Sequence, residues 1–211
     1  MTSTSPSATE TSLPQSHRRI AVTVGILFIF QLVTFFIGSS LIQTYLDGEA
    51  SRTTLNIGVL FEMLAGLAVV TIGLLMYQAL KTVDRQLALG YPTMRILEFA
   101  VSATFAAYLL SQLEEFPNHL LWVYIPTAIG GLILNYLLFI SRIVPRPISV
   151  LGLIGYFLLL LVVPLDLLGV IDDANSGVGL VFLTPGGVYE FLVLPIWLIA
   201  KGFRGPVVKT I

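Results

Sequence analysis

The stretch Arg18–Tyr45, RRIAVTVGILFIFQLVTFFIGSSLIQTY, sets two arginines before twenty-six consecutive residues that carry no formal charge. A helix rises 1.5 Å per residue, and about 20 mostly apolar residues cross the hydrocarbon core of a bilayer. This run is long enough to span. It exceeds the roughly 7–15 apolar residues of a signal-peptide core, and no small-x-small cleavage site follows it, so it reads as a retained anchor.

Working outward, the same kind of segment recurs. Apolar runs near Ile20–Tyr45, Leu55–Leu80, Met94–Leu113, Leu120–Ser141, Ile148–Val170 and Thr184–Phe203 predict six transmembrane helices. Apolar residues form 56% of the chain and charged residues 11%, against about 25% charged in an ordinary soluble domain. The expected fold is therefore an all-α, polytopic membrane protein. Residues 1–17, rich in Ser, Thr and Pro, read as a disordered leader. Residues 18–205 read as one six-helix transmembrane domain and 206–211 as a short tail.

Basic residues set the expected orientation. Ten of the eleven Lys and Arg fall on one side of the six segments: Arg18 and Arg19, then Lys81, Arg85 and Arg95, then Arg142 and Arg146, then Lys201, Arg204 and Lys209. The other side holds only Arg52, together with Asp47, Glu49, Glu114, Glu115, Asp172 and Asp173. Cytoplasmic loops collect Lys and Arg, which predicts cytoplasmic N- and C-termini.

Several functions are excluded or unsupported. A net charge of −1 without a basic stripe argues against a nucleic-acid partner. With no cysteine, there is no thiol nucleophile and no Cys-based metal site. His17 and His119 lie outside the apolar runs, which leaves no HExxH and no intramembrane Ser–His pair. No catalytic residue, metal site or cofactor is expected.

The informative residues are the charges inside the spans. In the second, Gly58, Ala65, Gly66 and Gly73 share one face with Glu62 in its middle; small residues permit close helix approach, so this face looks inward. Similar faces carry Asp166 in the fifth span and Glu190 in the sixth. Read from the predicted boundaries, with Thr184-Pro185 as the start of the sixth helix, Glu62, Asp166 and Glu190 share the outer half of the membrane. A carboxylate in hydrocarbon is costly enough that its default reading is functional. These three are the candidate ligand- or proton-binding residues. The bland alternative is a neutral acid tying helices together. Arg95 and Glu98, at i,i+3, form a secondary polar pair near the inner interface, set apart from the outer acids and read as structural. Asn135 and Gln31 read as interhelical hydrogen bonds, and Pro126, Pro164 and Pro195 each free a backbone carbonyl within a span.

The run Leu74-Leu75-Met76-Tyr77-Gln78-Ala79-Leu80-Lys81, Arg95-x-x-Glu98-x-Ala100, Ser141-Arg142-Ile143-Val144-Pro145-Arg146 with Leu151-Gly152-Leu153-Ile154-Gly155-Tyr156, and Thr184-Pro185-Gly186-Gly187-Val188-Tyr189-Glu190 with Trp197-Leu198-Ile199-Ala200-Lys201-Gly202-Phe203 together resemble a bacterial membrane family catalogued as domain of unknown function 4386. The resemblance implies a six-helix inner-membrane protein. It supplies no activity, so no residue role is carried over from it.

Three functional readings stay open. The first is a cavity open to the outer side that binds or moves a small cation, proton or solute by Glu62 and Glu190. The second is a structural or regulatory subunit that binds another membrane protein or a second copy of itself. The third is a membrane-embedded enzyme on a lipid-like substrate. Inverted repeats would favour transport, and the two halves share no clear motif.

Overall fold

The computed structural model describes residues 12–204. Among them there are helices and connections and no strands. The helices are α1 (Ser12–Leu46), α2 (Arg52–Leu80), α3 (Arg85–Gln112), α4 (His119–Ser141), α5 (Arg146–Leu167), α6 (Gly177–Val188) and α7 (Leu194–Ala200), with a π-helical turn, Tyr189–Val193, joining the last two. Six spans are long and apolar enough to cross a membrane, the sixth being the continuous unit Gly177–Ala200. The chain is thus a multi-pass, membrane-type helical protein. Helix α1 starts at Ser12, and residues 1–11 of the expected leader lie outside the described residues together with the expected tail.

Two boundaries differ from the sequence expectation, and both matter for the site. Helix α3 begins at Arg85, nine residues before the predicted start at Met94. Asp84 caps it, its side chain accepting the Leu87 N–H at 2.9 Å, which satisfies one of the free amides of a helix start. The polar Arg85–Thr93 stretch hid this first part from a hydropathy reading. Arg95 is consequently not at the end of its helix: it lies ten residues inside and is 1% exposed. Likewise the sixth span starts at Gly177, so Thr184 and Pro185 are not its cap and first turn but sit within α6. Thr184 Oγ1 donates back to the Leu180 carbonyl.

Each helix packs on the next in sequence, and α7 returns to α1 to close a ring. Small residues permit the close crossings. A Cβ added to Gly38 of α1 would stand 2.8 Å from the Gly58 carbonyl oxygen of α2, and one added to Gly155 of α5 would reach the Gly186 backbone of α6. The Gly202 stretch lies beside Arg18 and Ala21, and the Arg204 N–H donates to the Ile143 carbonyl. The described ends of the chain and the α4–α5 connection therefore share one end of the bundle, called the terminal end below.

The two halves of the ring are packed differently. Toward the terminal end a single core draws on every span, with Phe28, Met76, Tyr91, Leu137, Tyr156 and Leu198 among its buried members. Toward the opposite end the packing divides. Ile42, Leu55, Val59, Ala106 and Leu109 form one cluster from α1, α2 and α3. Leu121, Val162, Val163 and Ala174 form another from α4, α5 and the α5–α6 connection. A cavity lies where the two part.

Candidate functional site

The cavity measures about 320 Å³ and is lined by residues of all six spans, within the usual range for small-molecule sites. It extends to the α3–α4 connection, where Glu115, Phe116 and His119 line it. Its walls are largely apolar and aromatic, including Phe35, Phe99, Phe105 and Phe191. Its polar groups are Gln31, Glu62, Glu98, Ser102, Thr127, Tyr156 and Glu190, with Tyr124, Glu115 and His119 toward the α3–α4 connection.

The floor is built around Arg95. Its Nη1 donates to Glu98 Oε2 at 2.7 Å and its Nη2 to Glu190 Oε1 at 3.3 Å. Nε donates to the Tyr91 hydroxyl at 3.1 Å, and Nη2 also approaches the Tyr156 hydroxyl at 3.4 Å. Gln31 Nε2 donates to the same Glu190 Oε1 at 3.2 Å. A buried charge must be paired and hydrogen-bonded to be tolerated, and the planar guanidinium meets four partners at once as an ammonium does not. The guanidinium thereby links α3, α5 and the sixth span, and Gln31 adds α1 through Glu190.

Local backbone places each member. Gly73 on α2 faces Arg95, where an added Cβ would be 3.3 Å from the arginine Cβ. Gly131 on α4 lies under the Tyr156 ring, which would overlap any side chain there. The π turn has a definite cause. Pro195 has no N–H to return to the preceding turn, and the Leu194 N–H bonds the Tyr189 carbonyl five residues back. The widened turn buries both Tyr189 and Glu190; single π turns of this kind recur at functional sites.

The sequence candidates separate. Glu62 and Glu190 line the same cavity, as does Glu98. Glu62 is half-buried and accepts the Ser39 hydroxyl at 3.0 Å. Asp166 is elsewhere: it ends α5 and accepts the Ala174 N–H at 2.6 Å, tying down the α5–α6 connection. The expectation that Glu190 shares the outer half with Glu62 is corrected. With the span starting at Gly177, Glu190 falls mid-span, at the level of Gln31 and Arg95. The expectation that Arg95 and Glu98 stand apart from the other acids is corrected too, because Arg95 bridges Glu98 to Glu190. Ser39, Tyr91 and Tyr156 carry no sequence signal that singles them out.

These features define a class, a six-span membrane-type bundle with a half-depth cavity floored by a buried arginine–carboxylate network. The family model for domain of unknown function 4386 matches residues 23–114 and 101–202, and the chain belongs to that family. No curated protein and no solved structure matches the chain.

Proposed function

We propose that this protein binds a small cationic solute in the half-depth cavity, entering from the end opposite the termini. The single observation that carries the reading is that Glu62, Glu98 and Glu190 line one largely apolar cavity in which Arg95 pairs with two of them and, among the described residues, no cation lies within 4.0 Å of the third, Glu62. Charge in a low-dielectric site is expensive without a counter-ion, so the site favours a positively charged occupant. The basic residues at the helix ends Arg18, Lys81, Arg142 and Lys201 support a cytoplasmic terminal end, which turns the mouth outward. The reading of a partner-binding subunit is less well supported, since Gly38, Gly58, Gly73 and Gly155 all face contacts inside the bundle.

Because the chain has no cysteine, a single thiol reports access cleanly. Ser102→Cys, on the cavity wall, should react with a charged, membrane-impermeant thiol reagent added to intact cells, as should Glu49→Cys on the connecting loop. Reaction of the loop cysteine alone would overturn the reading.

A further inference from the structure

Beyond the class of cation, the vertical spacing of the acids points to its shape, an inference that rests on the cavity being a solute site. Four carboxylates line the cavity, Glu62, Glu98 and Glu190 inside it and Glu115 beside His119 at the α3–α4 connection, and the one guanidinium, that of Arg95, pairs only with Glu98 and Glu190. Those charges are not at one depth. Arg95, Glu190 and Gln31 meet at the floor. Glu62 is held by Ser39, eight residues beyond Gln31 along α1, or about 12 Å higher at 1.5 Å per residue. Between the two levels the wall is largely apolar: Phe99 lies against Gly66, one turn below Glu62, with Phe35 also lining the space.

Each level also has acceptor capacity to spare. At the upper one, Glu62 has no cationic partner within 4.0 Å among the described residues, only the Ser39 hydroxyl. At the floor, Gln31 is 8% exposed and lines the cavity, and its Oε1 has no hydrogen-bond partner among the described residues. A buried acceptor without a donor costs about 1–3 kcal/mol, and a ligand N–H would relieve it. No group of three His, Cys, Asp or Glu side chains gathers closely enough among the described residues to hold a metal ion, so the acids are spread along the cavity.

We propose that the ligand is a straight-chain dication, an α,ω-diamine or polyamine. One ammonium sits at Glu62 and the other at the Gln31–Glu98–Glu190 floor, with the methylene chain against Phe35 and Phe99. An ammonium donates three hydrogen bonds and accepts none, which suits a floor with an idle amide oxygen.

The test uses the full-length protein in phosphatidylcholine nanodiscs, with unfolding followed by tryptophan fluorescence. Straight-chain diamines from ethylenediamine upward are compared with monoamines of equal length, with Na⁺ and with Mg²⁺. Half-saturating concentration should pass through a minimum as the diamine lengthens, about tenfold below that of the matching monoamine for one added ion pair. Glu62→Gln should bring diamine and monoamine to within about twofold. Because Glu62 carries one hydroxyl contact at the cavity wall, this variant is the one best placed to fold, and unchanged Ser102→Cys labelling in its background checks that it does. Equal binding of monoamines or of Mg²⁺, or an unchanged length dependence in Glu62→Gln, would overturn the proposal. So would a complete lack of amine binding; if Ser102→Cys still labels, the cavity reading survives that result and only the diamine class falls.

Discussion

Arg95 and Glu190, 95 residues apart in sequence, meet at 3.3 Å in the middle of the bundle. This contact fastens the sixth span to the third across the ring, while Glu98 and Tyr91 hold the guanidinium from its own helix. Removing one partner of a buried pair leaves an uncompensated charge, which costs about 3–5 kcal/mol. Arg95→Met, which fills much of the space, should therefore lower stability by several kcal/mol, since both Glu98 and Glu190 lose their cation. Arg95→Lys should recover only part, because one ammonium cannot replace the planar fork that reaches Tyr91, Tyr156 and both acids. Unfolding of the purified protein in nanodiscs measures both. A lysine variant as stable as the parent would show that the fork geometry is unimportant.

Asp166 and Glu62 should separate by phenotype. Asp166→Ala strips the acceptor from the Ala174 N–H, and Ala174 is fully buried, so a cost of about 1–3 kcal/mol is expected. Amide exchange should rise across residues 168–176, and amine binding should stay within about twofold of the parent. Glu62→Gln should do the reverse, losing binding with little change in stability. Loss of binding in Asp166→Ala with normal folding would put Asp166 back in the site.

The tightest ring contact in the floor also gives a graded test. Tyr156 lies on Gly131 with no room for a Cβ, so Gly131→Ala must move the ring and with it the hydroxyl near Arg95 Nη2. Overpacking of this kind typically costs about 1–3 kcal/mol. Gly66→Ala meets the Phe99 ring instead, on the cavity wall and away from the floor. Its main effect should be on ligand affinity, because Phe99 is pushed into the space the solute occupies. Equal effects of the two alanines on stability and affinity would argue against a floor and a wall with separate roles.

The architecture was legible because it rests on hydropathy and helix length, which are local. Six apolar runs became six spans, and the inward face of α2 around Glu62 followed from the spacing of Gly58, Ala65 and Gly73. The site was legible only in its acids. Arg95 read as lying at the inner end of its span because the first turns of α3 contain Gln86, Gly90, Pro92 and Thr93, which lower the hydropathy of a segment that is nevertheless helical. Glu190 was read too shallow because Thr184-Pro185 imitates a helix start, whereas Pro185 is carried inside α6. The meeting of Arg95 with Tyr156 and Glu190 depends on ring closure between distant spans, and no local pattern encodes it.

Thiol chemistry reads the orientation directly in a chain without cysteine. With Arg95 buried, the loops and helix ends at the terminal end still carry Arg18, Arg19, Lys81, Arg85, Arg142, Arg146, Lys201 and Arg204, against Arg52 alone at the other. Lys and Arg near span ends resist translocation, so moving Arg95 into the bundle leaves the bias intact. Lys81→Cys and Glu49→Cys, both at exposed positions, should respond oppositely to an impermeant thiol reagent. On intact cells Glu49→Cys should be modified and Lys81→Cys protected, and permeabilisation should expose both. The reverse pattern would place the cavity mouth in the cytoplasm. The carboxylate site would then draw its cation from the cell interior, and the diamine binding expected in nanodiscs would stand unchanged while the direction of access is inverted.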